Sequence, residues 1–555
     1  TTGNVSEVLP GITRPLPADL INDWDYRFTT SMAKQLGVLD LVPTAPPPAM
    51  NVLGFVGGRW TLNIAWSLAI TATYQTAGGT DMLAQFVEGD ALSSGEAADK
   101  ARAARTRQTI MRRWRNAERE IAKQRTKSLK AREQFFKRDY APLTNQQLLG
   151  LIDDASELCA ELFVTHVIVS VGGAEFTGLL GALIDGHIKR HPQHWLTTLT
   201  SALTNVESAE PSKAIWDLSR LIVRRPALAR QVRDLDPGAI AARLAEPPDT
   251  GWKQLADAYA QFIEKYGYRG QREVDPSSRT WDESSDFVIS AIQAAVASPP
   301  SRNPHALEKK ASAARQRLED RIEQRLPAAV RRQYRDHLRM AQTLDRLRES
   351  TKANWARSCR NFRPPVMELG RRLTAAGIIA EPDDVWYLRL AELKDAARGN
   401  LAAEPAQEAI AARKVEYDRL HQFRLPDGVF QLPTELIPVD ELKASEQVVY
   451  QGIGISPGKA TGKARVIFSA DAGEGSDIEP GEILVAPVTD APTSPLFIPA
   501  AAVVVEVGGL LSHAAIVARE CGIPAVAGIK GATQLIRTGM IVTVDGNTGQ
   551  VTVEA

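Results

Sequence analysis

The 555-residue chain has little cysteine and few aromatics, with three cysteines and 6% Phe, Trp and Tyr. Cys159, Cys359 and Cys521 stand far apart in sequence and are odd in number. That excludes a disulfide framework and a cysteine metal site, and predicts a reducing, cytoplasmic setting. Net charge is also missing, because 66 basic residues balance 66 acidic ones. Nothing in that balance calls for nucleic acid or a membrane as partner. The opening TTGNVSEVLPG lacks the basic start and apolar core of a signal peptide. Long hydrophobic runs are scarce. The run from Trp60 to Tyr74 is broken by Thr, Asn and Ser, is short for a membrane span, and predicts a buried helix. There is no Gly-rich phosphate loop, internal repeat or low-complexity tract.

What is present is asymmetric. Residues 1 to about 60 are proline-rich with short apolar pieces, and residues 60 to about 425 carry Ala/Arg/Glu/Leu segments of helical period. Pro426, Pro433 and Pro438 mark a linker, after which the texture turns to short β-rich pieces and glycines. The expected fold is multidomain: a mostly α-helical region over 1–425, a hinge over 426–448 and a compact α/β domain over 449–555. The basic stretch Lys100–Arg138 reads as a solvated helix ahead of a protein-binding surface, and nucleic acid comes last because no reading motif accompanies it. His191 and His194 read as loop histidines, since no cysteine or carboxylate completes a metal set.

One histidine stands out, in VVVEVGGLLSHAAIVARECGIPAVAG (503–528). The run Val503–Val507 is apolar and β-branched and predicts a strand. Gly508 and Gly509 permit a tight turn. Ser512 is the expected N-cap of a helix that runs through Glu520 and stops at Gly522 and Pro524. His513 then lies in the first helical turn, where unpaired N–H groups and the helix dipole favour an anion. A neutral imidazole there can attack phosphorus and carry a phosphoryl group.

The run GGLLSHAAIVARECGIPAV resembles the phosphohistidine segment of the phosphoenolpyruvate-utilising swivelling domain. Gly508, Gly509, Ser512, His513, Ala514 and Ala515 fit its pattern. GIGISPGKATGKARVI (452–467) and ILVAPVTDAPTSPLFIPAA (483–501) are similar to the same domain, though Ala491–Pro495 departs from the usual Asp-Pro and aromatic. Upstream, NVSEVLPGITRPL (4–16) and GFVGGRWTLN (54–63) resemble the acceptor-binding part of rifampin phosphotransferase and its relatives. EKYGYRGQREVD (264–275) resembles a Tyr-Gly-His-Arg-Gly pattern in which Tyr268 replaces the histidine.

RESTK (348–352) is similar to an Arg-Glu-x-x-Lys element of that family. Residues 348 and 352 are four apart, so Arg348 and Lys352 share a helix face and can converge on one phosphoryl group. The resemblance implies an ATP-dependent phosphotransferase with a phosphohistidine intermediate. It makes His513, Arg348 and Lys352 catalytic, with Arg269, Arg59, Ser512, Gly508 and Gly509 as substrate or phosphate contacts. Glu349 and Glu273 are candidate bases.

The sequence shows no nucleotide-binding region ahead of the acceptor part and no barrel after the swivelling domain. On that pattern the chain resembles the histidine-bearing subunit of two-component phenylphosphate synthase. A separate ATP-grasp-like subunit would hold ATP and Mg2+, and a phenol or alkylphenol would be the acceptor. Aromatics at Phe55, Trp60, Trp66 and Tyr74 and small residues over 171–184 suit such a ring. The alternatives are a rifamycin-type acceptor and a phosphocarrier that passes its group to a protein.

Overall fold

The computed structural model describes residues 11–36, 52–62, 100–192, 194–424, 437–438, 449–467, 478–509 and 512–554. The chain forms two compact units. The first holds Thr1–Gly172, Glu273–Ser278 and Ser350–Glu441; the second holds Gly173–Arg272, Arg279–Glu349 and Leu442–Ala555. A helical region therefore precedes an α/β region in sequence, as the composition predicts.

In the first unit, the proline-rich start yields a 22-residue helix, α1 (Pro15–Leu36). Pro15 and Pro17 sit in its first turn, where a missing N–H costs nothing. A hairpin follows, β1 (Leu53–Val56) and β2 (Arg59–Leu62). Its turn is Gly57-Gly58, with φ of +52° and +75°, the positive angles a two-residue hairpin turn demands. Residues 60–62 are thus strand and not the start of the buried helix expected there; Phe55 and Trp60 touch at 4.8 Å. The rest of that run, including Trp66 and Tyr74, falls outside the described residues.

The basic stretch is two helices, α2 (Lys100–Arg115) and α3 (Ala117–Phe136), parted at Asn116, with most of their Lys and Arg exposed. The long helices α4 (Asn145–His187) and α5 (Ala328–Cys359) each contribute to both units. By length and composition α4 could cross a bilayer, though half of its most apolar window is buried inside the protein. Its first half packs as a core helix: Phe163 meets Trp24 at 5.1 Å and Trp355 at 4.4 Å. Cys159 and Cys359 are far apart in sequence, yet their sulfurs lie 3.7 Å apart where α4 and α5 pack. Both are free thiols.

The second unit carries the sheet. Its strands are β3 (Val449–Gln451), β4 (Ile453–Ser456), β5 (Lys459–Val466), β6 (Ile483–Ala486), β7 (Ala502–Val505), β8 (Ala525–Ala527), β9 (Ile541–Asp545) and β10 (Gln550–Val553). The spatial order is β3-β10-β9-β5-β6-β7-β8-β4. The central run β5-β6-β7-β8 is parallel and the flanks are antiparallel.

Parallel strands need both faces covered, and the sequence supplies two apolar faces by period-2 alternation. Ala502 and Val504 join Val485, Val526 and Val544 on one side. Val503 and Val505 join Leu484, Ala525 and a helical layer on the other. That layer includes Ile215 and Trp216, from a helix at Glu210–Val223, and Ile289 and Ile292, from a helix at Asp286–Ala297. Of the expected hinge, Ile437 and Pro438 are described, and they pair with Arg424 and Phe423 just before it; the rest of 426–448 lies outside the described residues.

Candidate active site

His513 opens α6 (His513–Cys521), directly behind the turn that leaves β7. Ser512 is the N-cap, and its Oγ accepts the Ala515 N–H at 3.2 Å. Gly522, at φ +63°, closes the helix, and the Ile523 N–H returns to the Ala518 carbonyl at 2.9 Å. Gly508 has φ +150°, and a Cβ there would press on Ser512 Oγ at 3.1 Å. Gly509 has neither constraint among the described residues.

The imidazole is 1% exposed. Its Nε2 lies 3.2 Å from Ser494 Oγ, whose hydroxyl also reaches the Ala491 carbonyl at 2.7 Å. Ser494 belongs to a tight helical turn, Ala491–Phe497, capped by Asp490 through the Thr493 N–H. The departure Ala491–Pro495 therefore supplies the hydroxyl beside the histidine. On the other side, Nδ1 faces Glu349 Oε2 at 3.9 Å, and Arg348 Nε lies 3.5 Å from Glu349 Oε1. Glu349 stands between the imidazole and the guanidinium.

Behind this row, Asp345 is buried one turn earlier on α5. Burial pushes its carboxyl up to about 6 against the pull of Arg348 and Arg519. Arg519, on α6, is also buried, and desolvation lowers it to about 10.

Lys352 follows Arg348 on continuous α5, as the spacing predicts, and is 6% exposed. It belongs to the first unit, where its neighbour Thr351 meets His166 Nδ1 at 3.0 Å and His166 stacks on Trp355. Arg269 lies in the second unit, with its guanidinium 5.2 Å from the Tyr268 ring and Nη2 3.3 Å from the Glu207 carbonyl. Its loop is pinned by Gly270, where a Cβ would sit 2.3 Å from the Arg279 carbonyl. Glu273 belongs to the first unit.

Arg59 has a structural partner set. It donates to the carbonyls of Gly57 at 3.2 Å, Leu420 at 3.0 Å and Phe423. That clamps the hairpin to the end of helix Ala403–Leu420. As a phosphate contact it would have to give up these bonds. The sequence reading missed Ser494, Asp345 and Arg519 as neighbours of this row. Only Ser494 left a signal, its place in a departure from the family pattern. Among the described residues no cluster of His, Cys, Asp and Glu could hold a metal ion.

Two parts of the chain match known protein families. Residues 478–549 match the PEP-utilising enzyme mobile domain, and residues 166–349 match the rifampicin phosphotransferase fourth domain. The chain is 29% identical over 366 residues to the prodigiosin synthesizing transferase PigC of Serratia marcescens, covering 64% of this chain and 40% of that protein. It is 30% identical over 381 residues to the uncharacterized phosphotransferase YvkC of Bacillus subtilis, covering 65% and 43%. It is 28% identical over 363 residues to a rifampicin phosphotransferase of Streptomyces sviceus, covering 64% and 40%. The matches span about two fifths of the length of these relatives.

Proposed function

Starting from a PEP-utilising mobile domain that carries His513, we propose that this chain is the histidine-bearing, acceptor-binding part of an ATP-dependent phosphotransferase. The observation that carries the reading is the placement of a buried histidine, first in its helix, beside Glu349 and Arg348. A carboxylate facing Nδ1 favours a proton on that nitrogen and leaves Nε2 with the lone pair that attacks phosphorus. Ser494 Oγ lies against Nε2, and its hydroxyl can donate to that lone pair when it turns from the Ala491 carbonyl. ATP with Mg2+ supplies the phosphoryl group from a nucleotide-binding part outside these 555 residues, for which we propose a separate subunit.

His513 takes the β-phosphoryl group, with AMP released and the γ-phosphoryl group passed to water. In the second half, the P–N bond breaks as a substrate oxygen bonds to phosphorus and its proton leaves to a base. Arg348 and Lys352 offset the charge on the equatorial oxygens. Residues 426–448 serve as the hinge between the two stations.

The acceptor is an organic hydroxyl. The similarity to proteins named rifampicin phosphotransferase favours a rifamycin-type hydroxyl over the phenol expected from sequence. The test is single-turnover discharge of chain carrying 32P on His513, challenged separately with rifampicin and 4-methylphenol. Label leaving the protein in one small-molecule product is expected. Label that stays on the chain with both, but moves to a second protein, would replace this reading with the phosphocarrier one.

A further inference from the structure

The far turn of the histidine helix is built as carefully as its start. Glu520 is 3% exposed, and its Oε1 accepts the backbone N–H of Leu203 at 2.9 Å. Its Oε2 is buried with no hydrogen-bond partner among the described residues. Beside it, Arg519 donates from Nη1 to Thr200 Oγ1 at 3.0 Å and from Nε to the Ala515 carbonyl at 2.8 Å. Ile516 packs on a small apolar cluster of Leu203, Val206 and Ala209. Three side chains of α6 thus have partners in or beside one loop, residues 200–209, or on their own helix.

That loop is strained. Ala202 has φ +47° and Asn205 φ +63°, angles that L-residues rarely adopt and that persist only where surroundings impose them. Among the described residues one other non-glycine residue has positive φ, Arg272 at +55°. Its N–H meets Asp490 Oδ2 at 3.4 Å, on the turn that carries Ser494. All three strained positions therefore lie in segments that receive the histidine-bearing α/β region. From its other side the 200–209 loop is held by Arg315, which donates to the carbonyls of Ser201 at 2.8 Å and Ala202.

We propose that Glu520 and Arg519 are positioning residues: they seat the histidine helix on the 200–209 loop and so hold His513 against Glu349. The inference rests on the reading of His513 as a mobile carrier, because a carrier needs a seat that it can leave. Glu520 makes that seat proton-linked. A buried carboxylate with one unpartnered oxygen is costly, so the seated form carries a proton. Burial raises its carboxyl to about 8, with Leu203 N–H and the charges of Lys213 and Arg519 opposing and Glu308 assisting.

Lys213 and Glu308 face Glu520 from helices Glu210–Val223 and Pro304–Arg325 and are themselves paired at 2.8 Å. When α6 leaves, water reaches Glu520 and the proton is lost at neutral pH. The sign follows. A pKa raised in the seated state means that seating is strongest at low pH. It weakens as pH rises from the ordinary carboxyl range to about 8, then levels off.

The test is hydrogen exchange of the 198–210 segment, read as protection factors, in the full chain, Glu520→Gln and Glu520→Ala. In the wild type, protection should fall roughly 70-fold between about pH 6 and 8.5. Glu520→Gln keeps an oxygen for the Leu203 N–H without a titrating proton, and should stay protected and flat with pH. Glu520→Ala should lose protection at every pH while β7 stays protected, which separates unseating from unfolding. A pH-independent wild type, a Gln variant that behaves like Ala, or an Ala variant with full protection would each overturn the proposal. The readout involves no phosphoryl chemistry. A chain that shows this exchange pattern but never accepts phosphate would sink the carrier reading and leave the seat standing.

Discussion

Glu349 and the imidazole of His513 face each other at 3.9 Å, both nearly without solvent contact. If the carboxylate sets which nitrogen is nucleophilic, Glu349→Gln should slow phosphoryl transfer by about 10²-fold. Single-turnover labelling of His513 measures this; an unchanged rate would leave Glu349 as a spacer. A second buried carboxylate, Asp25, gives a prediction about stability. Burial raises it to about 8, against the Leu53 and Val52 N–H groups that bond to it. A carboxyl raised on folding stabilises least at high pH, so stability should fall as pH rises from the ordinary carboxyl range to about 8. Asp25→Asn should remove that slope in thermal unfolding followed from about pH 5 to 9. The same slope in the variant would count against it.

Residues differ in how well the sequence announces them. The place of His513 at the start of a helix was legible because two glycines, a capping serine and a β-branched run frame it locally. Arg519 and Glu520 were not. In a helix they read as an ordinary polar end, and their burial comes from a loop more than 300 positions away.

At the scale of elements, α6 is fixed by local chemistry at both ends, with Ser512 before it and Gly522 after it. Ser512→Ala should cost about 1 kcal/mol, the usual worth of an N-cap. The loop that carries Arg269 is fixed differently, by close backbone approach. A methyl group at Gly270 would meet the Arg279 carbonyl at 2.3 Å and the Thr280 Cα at 2.9 Å. Gly270→Ala should therefore destabilise the second unit by roughly 3 kcal/mol, seen in the urea midpoint. A loss within 0.5 kcal/mol would show that the loop relaxes freely.

Helical period and strand alternation made most of these elements readable, including the continuous α5 that carries Arg348 and Lys352. Helix α1 was missed because its prolines look like breakers, although they occupy the first turn, where they are tolerated. The start of the Trp60 run was misread because two glycines turn it into a hairpin.

At the scale of the whole molecule, the order of a helical region and then an α/β region was legible from texture alone. The composition of the two compact units was not. Each gathers segments distant in sequence, and α4 and α5 each cross from one unit to the other. The thiols Cys159 and Cys359, 200 positions apart, meet for the same reason. No periodicity reports contacts of that range.

The central claim, that His513 carries a phosphoryl group, is tested most directly by intact-mass and peptide mapping. The chain is incubated with magnesium-ATP and a partner shown to bind ATP, then quenched in alkali, which preserves phosphohistidine. The expected result is one phosphoryl group, on His513, absent from His513→Ala. Phosphate on another residue, or none while the partner consumes ATP, would contradict it.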